Sequence, residues 1–320
     1  MRVVVYGAGA VGGVVGARLF QAGHDVTLIA RGDHYAAIRE RGLRVDAGDE
    51  STVLPITVVG HPAEIDLDGA VVLLAMKTQD TARALAALAE AAPPDMPVVC
   101  LQNGVENERL ALRMFERVYG VCVMCPTGHL EPGVVQAFST PITGLLDIGR
   151  YPSGVDDVAR SVAEMLAGAT FLAEARPDIM RWKYRKLISN LANAPQAICG
   201  TDAGFGELAR RAMEEGESVL AVAGIEVVSV EEDVARRADH LTMRPAAGAR
   251  WQGGSSWQSL ARGTGAIESD FLNGEIVLLG RQVGVATPVN ALLQRVAGEV
   301  AREGRAPGAF TEAELLKRLS

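Results

Sequence analysis

The chain has 320 residues, 48% of them hydrophobic and 22% charged, with a formal net charge of −8. That length and balance suit two globular domains with cores of their own, which need neither metal nor disulfide to fold. The acidic balance, with both signs mixed and no basic run, excludes nucleic acid and anionic membrane as expected partners.

In chain order, a strand-like apolar run at 2–6 enters a glycine turn. A helix follows over 10–21, closed by Gly23, and strand resumes at 25–30. The first run leads straight into that turn and does not read as a signal peptide. Runs such as 70–76 are far too short to span a bilayer, so the expected location is the cytoplasm. Further strands are predicted at 52–59, 70–75, 98–101, 118–124, 133–138 and 142–148, with helices between some of them, for example over 81–91. This alternation implies a mainly parallel, doubly wound sheet, and the close spacing of the last strands implies a mixed edge.

Near residue 176 the pattern changes. Helices are predicted at 178–199, 205–224, 231–241, 255–262, 268–283, 288–303 and 311–319, and the glycine-rich stretch 244–255 reads as a loop. The expected fold class is α/β, with a doubly wound domain over 1–175 and an all-helical domain over 176–320. The apolar helices of the second half offer a surface for a homodimer.

Cys122 and Cys125 have the spacing of a redox or zinc pair, but Val121, Val123 and Met124 around them read as strand and no second ligand pair follows. Together with Cys100 and Cys199 they are expected to be small core residues. The histidines (His24, His34, His61, His129 and His240) are scattered without ligand spacing. No metal site and no catalytic histidine is predicted.

Gly7, Gly9 and Gly12 form G-x-G-x-x-G between a strand and a helix, the context that a dinucleotide fingerprint requires. Gly7 permits the tight turn, Gly9 lets backbone approach a pyrophosphate, and Gly12 lets helix pack on strand. With Ala8, Ala10 and Val11 they bring the N–H groups of a helix start to an anion. The first domain therefore reads as Rossmann-type. At the tip of the second strand stand Ala30, Arg31 and Gly32, with no acid to hold ribose hydroxyls. An arginine there suits a 2′-phosphate, so NADPH is expected; a competing reading stacks Arg31 on adenine and gives the ribose to Asp33. Lys77, after the run 70–76, is expected at the carboxyl end of a strand, where open α/β sheets bind ligands.

In the helical half, Lys186, Asn190 and Asn193 are spaced i, i+4, i+7 and are expected along one face of an otherwise apolar helix. Buried ammonium and amide groups need partners. A substrate bearing carboxylate and hydroxyl groups provides them; an internal hydrogen-bond network is the alternative.

With these residues in place the sequence resembles the ketopantoate reductases (2-dehydropantoate 2-reductases) over nearly its whole length. The likeness runs through Val5 to Gly12, then Met76, Lys77 and Thr78, then Leu101, Gln102, Asn103 and Gly104. It continues with Arg185, Lys186, Leu187 and Asn190, then Ser255 and Ser256, Glu268 to Gly274, and Thr287 to Asn290, in the family's order and spacing. The resemblance implies an N-terminal Rossmann domain, a helical C-terminal domain and an active site in the cleft between them. It implies NADPH-dependent reduction of a small branched 2-keto acid, 2-dehydropantoate foremost, as a step of pantothenate biosynthesis.

It also implies roles by position. Lys186 is the general acid that protonates the carbonyl oxygen, its value lowered by burial. Asn190 orients substrate, Glu268 hydrogen-bonds a substrate hydroxyl and holds the lysine, and Ser256 contacts the substrate carboxylate. Asn103 lies near nicotinamide ribose and substrate, and Lys77 contacts cofactor. The chain departs from the family pattern at Ala194, where a second asparagine is usual and Asn193 stands one residue earlier. It departs again at Leu260, where an Asp is usual, and around Thr264 and Gly265. These changes leave the hydride and proton groups in place and bear on the far end of the substrate. Two alternatives stay open: a paralogous reductase for another 2-keto acid or carbonyl, and a non-catalytic NADPH-binding sensor.

Overall fold

Val3, Val4 and Val5 are all fully buried, as a strand covered on both faces requires, and they form the centre of β1 (Arg2–Tyr6). In this computed structural model, which describes residues 1–244 and 253–319, β1 leads through α1 (Ala10–Gln21) to β2 (Asp25–Ile29) and α2 (Gly32–Arg41). Then come β3 (Leu43–Ala47), β4 (Glu50–Leu54), β5 (Thr57–Val59), β6 (Ala70–Leu74), α3 (Thr78–Ala91), β7 (Pro97–Cys100) and α4 (Asn107–Leu112). They are followed by β8 (Arg117–Met124), β9 (Thr127–Gly128), β10 (Val134–Ala137), β11 (Gly144–Arg150), α5 (Asp157–Ala167) and β12 (Phe171–Leu172). The remainder is α6 (Ile179–Asn190), α7 (Asn193–Cys199), α8 (Glu207–Val222), α9 (Val230–Arg237), α10 (Ser255–Ala261), α11 (Asn273–Val283), α12 (Pro288–Arg302) and α13 (Glu312–Leu316).

Among the described residues the strands make two sheets, ordered β12-β11-β8-β7-β6-β1-β2-β5 and β4-β3-β10-β9. The run from β5 to β8 across the first sheet is parallel, and β11 meets β8 antiparallel, so the mixed edge lies where the sequence places it. The alternation of the pleat separates two cores. Val3 and Val5 pack with Val14, Leu19 and Val135 on one face, and Val4 packs with Leu85 and Leu88 on the other. The predicted strand 52–59 is two strands in two sheets, because Pro55 has no N–H to give a ladder: β4 pairs with β3 and β5 with β2. The predicted strand 133–138 joins the smaller sheet, as β10 beside β3.

The chain divides into two compact units, Met1–Lys183 with Val230–Trp251 and Tyr184–Ser229 with Gln252–Ser320. This differs from a single boundary at residue 175. One reason is local packing: Arg176 stacks 4.2 Å over the Trp182 ring, and Cys122 Sγ donates to Trp182 O. The other is charge. Asp147 is buried on β11 and accepts from Arg176 Nε at 2.6 Å and from Arg236 Nε at 2.8 Å and Nη2 at 2.6 Å. Arg236 brings α9 back to the first unit. Among the described residues the regular elements of the second unit are all helices. Most of the predicted loop, 245–252, lies outside the described residues.

Candidate active site

Four connections of the parallel sheet, after β1, β2, β6 and β7, carry the cofactor candidates in the first unit. The strand order reverses at β1, whose neighbours are β2 and β6, and dinucleotides bind at the carboxyl ends of strands at such a switch. Gly7 follows β1 with φ +102°, and a Cβ there would stand 2.6 Å from Met76 N. At Gly12 a Cβ would stand 2.2 Å from Gly7 O. Both glycines are required by the fold itself. Gly9 is different: a Cβ there meets no atom within 4 Å, so the chain's own packing does not call for glycine at that position, whereas a close-lying pyrophosphate does. Gly9 caps α1, which has no side-chain cap and no acid in its first turn, leaving the N–H groups of Ala10, Val11 and Gly12 to an anion. The residues present therefore fit a dinucleotide.

Arg31 caps α2 just after β2, and its Nη2 pairs with Asp80 Oδ1 at 2.9 Å on the first turn of α3. Asp33 is exposed in the first turn of α2. Lys77, half-buried, caps α3 directly after β6 and Met76. Asn103 lies beyond β7, and its backbone carbonyl accepts from Asn107 Nδ2 at 3.0 Å.

Sequence reasoning missed two supports of this half. His34 Nε2 lies 2.7 Å from Ala8 O in the glycine turn, and Gly133 N donates to His34 Nδ1 at 2.9 Å. The other is a buried polar cluster beneath the connections after β6 and β7. Gln102 Nε2 donates to Met76 O and Thr81 Oγ1, Thr81 Oγ1 donates to Asn107 Oδ1, and Asn107 Nδ2 also reaches Thr78 Oγ1. The run Gln102, Asn103, Asn107, Glu108 behind a strand was the available signal, since so many polar groups there need partners. Gly13 was also missed: a Cβ there would stand 2.7 Å from Val135 Cγ1, where α1 meets β10.

In the second unit, Lys186 and Asn190 share α6, with Asn190 buried and Lys186 half-buried. The expected single helix breaks at Leu191 and Ala192, where Leu191 N is shared between the carbonyls of Leu187 and Ile188. Asn193 opens α7 instead of continuing the face of α6, and its Oδ1 lies beside Gly254, the N-cap of α10. α7 packs on α10, which carries the buried Ser256. Glu268, also buried, opens a 3-10 turn ahead of α11. Of the departures from the family pattern, Ala194 and Leu260 are buried. Thr264 Oγ1 donates to Ser259 O and Ala266 O, closing a turn.

The motif residues Asn273 and Asn290 form a network of their own. Asn273 Nδ2 donates to Leu191 O at 3.3 Å, at the break after α6, and to Asn290 Oδ1 at 2.9 Å. Asn290 Nδ2 in turn donates to Ala212 O and Glu215 Oε2, and Glu215 caps α12 through Val289 N and Asn290 N.

Both units match one family. The sequence signature described as ketopantoate reductase PanE/ApbA matches residues 3–152, and that of the ketopantoate reductase PanE/ApbA C terminal matches residues 178–301. The chain belongs to the ketopantoate reductase family. A 2-dehydropantoate 2-reductase from Archaeoglobus fulgidus is 33% identical over 302 residues, 91% of this chain and 95% of its own length. One from Pyrococcus horikoshii is 30% identical over 306 residues, 92% of this chain and 95% of its own. The crystal structure of a PanE/ApbA family ketopantoate reductase from Ralstonia eutropha JMP134 superposes with a TM-score of 0.77 at 29% identity, covering 95% of this chain and 99% of that one. D-mandelate dehydrogenase, solved with NADH and anilino(oxo)acetate, shares the fold of this ketopantoate reductase family member: TM-score 0.81, 24% identity, 95% and 99% coverage. Among the described residues no group of three or more His, Cys, Asp or Glu is placed to hold a metal, and no helix is long and apolar enough to cross a membrane.

Proposed function

We propose that the chain uses NADPH to reduce a small branched 2-keto acid to the 2-hydroxy acid, with 2-dehydropantoate to pantoate as the leading case. The observation that carries this reading is that relatives named 2-dehydropantoate 2-reductase align along nine-tenths of the chain, through both units. The backbone from Gly7 to Gly12 holds the pyrophosphate, Arg31 the 2′-phosphate, and Lys77 and Asn103 the remainder of the cofactor. A nicotinamide held there would supply the hydride that a carbonyl reduction needs.

Lys186 gives a proton from its ammonium to the carbonyl oxygen as the C=O electron pair becomes an alkoxide, and water returns that proton to the amine. An ammonium beside this oxygen both stabilises the developing charge and neutralises it. Asn190 and Asn193 orient the substrate, Asn103 reaches it from the cofactor side, and Ser256 donates to its carboxylate. Glu268 accepts from a substrate hydroxyl and holds the ammonium in place. Buried Leu260 and Ala194 favour, as a second reading, the same chemistry on a different 2-keto acid.

The test is oxidation of NADPH with a panel of 2-keto acids, repeated with Lys186→Ala. Turnover at saturating substrate is expected to fall by about 10²–10⁴-fold, the usual contribution of a general acid. A fall of less than about tenfold contradicts the role of Lys186. Cofactor binding with no substrate turned over would favour a sensor.

A further inference from the structure

Lys183, on α6 in the first unit, has an almost fully buried ammonium that the reaction does not use. Its Nζ lies 2.7 Å from Glu108 Oε1 and donates to Gln102 O at 2.8 Å and to Val121 O at 3.1 Å. The ammonium thus donates to two backbone carbonyls and is paired in charge with the buried carboxylate. The Glu108 and Lys183 side chains are 0% and 2% exposed. The protein makes room for them by a glycine in mid-strand: a Cβ at Gly120 of β8 would stand 3.1 Å from Glu108 Oε1 and 3.2 Å from Lys183 Cδ. Burial pushes the Glu108 carboxyl up, against the pull of the adjacent ammonium, and the Cys100 thiol up as well.

A buried ion pair is a weak source of stability, because an apolar pair of similar volume often serves as well. An apolar pair cannot hold a carbonyl in one orientation. The carbonyl held is that of Gln102, next to Asn103, and Asn107 holds the following carbonyl. This connection leaves β7, on the opposite side of β1 from β2. A doubly wound sheet of this kind divides a dinucleotide between its two halves, so the side of β6 and β7 takes the nucleotide that β2 and Arg31 do not.

We propose that Lys183, held by Glu108, is a positioning residue that fixes the connection carrying Asn103 and thereby seats the nicotinamide half of the cofactor. The proposal rests on the dinucleotide reading of the first unit. It is specific to one half of the ligand: the adenine half is served by other residues.

The experiment compares the wild type with Lys183→Met/Glu108→Leu, which removes both charges and keeps the space filled, and with Lys183→Met alone. Three quantities are measured: the unfolding midpoint, the Kd for NADPH, and the Kd for adenosine 2′,5′-bisphosphate, which lacks the nicotinamide half. The double variant is expected to fold with a midpoint near that of the wild type and to bind the bisphosphate normally. Its NADPH affinity is expected to fall by about tenfold, the scale of one lost charge-assisted hydrogen bond. With an active substrate, kcat is expected to fall more than KM for the keto acid rises. Unchanged NADPH affinity in a folded double variant overturns the proposal. So does a parallel loss of both affinities, which marks a general structural role. A wild type that binds neither ligand overturns the dinucleotide reading and this proposal together, whereas binding without turnover leaves this binding test intact.

Discussion

The imidazole of His34 sits between the glycine turn and the smaller sheet, 2.7 Å from Ala8 O and 2.9 Å from Gly133 N. Gly133 N–H can only donate, so Nδ1 accepts and Nε2 carries the hydrogen given to Ala8 O. His129 lies against the same ring, centroids 4.2 Å apart. The orientation of the Ala8 peptide, and so the direction of the N–H groups after it, depends on this contact. His34→Ala is expected to raise the Kd for NADPH by about three- to tenfold, on the scale of one or two neutral hydrogen bonds. Titration by cofactor fluorescence checks it, and an unchanged Kd removes His34 from the cradle.

Arg31 is held by Asp80 before any phosphate reaches it. Both groups are partly exposed, so the pair adds little stability, about 0–1 kcal/mol, but on the proposed NADPH reading it sets an anion in competition with a 2′-phosphate. Asp80→Asn is expected to tighten NADPH by about threefold and to leave NADH unchanged. Arg31→Ala is expected to weaken NADPH by more than about tenfold and NADH far less. Equal effects on the two cofactors would sink the assignment of Arg31.

Asn273 has donors facing two acceptors, Leu191 O and Asn290 Oδ1. Replacing it by alanine removes those donors, at about 1–3 kcal/mol. Asn273→Asp places an anion against the same two oxygens in a fully buried site. The aspartate variant is therefore expected to be the less stable of the two at neutral pH, measured by urea unfolding. The reverse order would show that Asn290 turns its amide around, giving up its bonds to Ala212 O and Glu215.

Asp156 caps α5 through Ala159 N and accepts from the Tyr119 hydroxyl at 2.9 Å. Burial raises the Asp156 carboxyl, but the Ala159 amide, the Tyr119 hydroxyl and the arginines at 150 and 117 outweigh it and hold it below its ordinary value. Burial and this hydrogen bond push the Tyr119 hydroxyl up to about 12, so it stays a donor through the neutral range. A depressed carboxylate binds protons less readily folded than unfolded. Its stabilisation is therefore complete above the ordinary value and is lost as pH falls through the folded one. Between about pH 5 and pH 3 the unfolding midpoint of the wild type is expected to fall more steeply than that of Asp156→Asn. Parallel slopes would remove Asp156 from the acid response.

Much of this was legible in the sequence because the signals are local. Val3 to Val5 followed by glycines at 7, 9 and 12 describe a buried strand, a turn and a helix start within one short stretch, and α1 spans the predicted 10–21. The division of 52–59 between two sheets was not legible, since the apolar pattern runs on both sides of Pro55 and only pairing partners tell the strands apart. The break at Leu191 and Ala192 was hidden in the same way, by a sequence that keeps helical spacing through it. Asn273 and Asn290 were visible as motif residues, but not as partners of each other. Lys183 looked like any charge on a helix, because its burial depends on Glu108 and Gly120 far upstream in the chain. Long-range pairing of this kind has no signature in spacing.

The chain passes from the first unit to the second after Lys183, returns for Val230–Trp251 and then leaves again. A chimera spliced once, between halves taken from two relatives, would therefore set Asp147 opposite a foreign segment where Arg236 now stands. Modular exchange in this architecture has to respect all three joins. Recombination at the apparent midpoint is expected to yield insoluble product unless the returning helix travels with the sheet it grips.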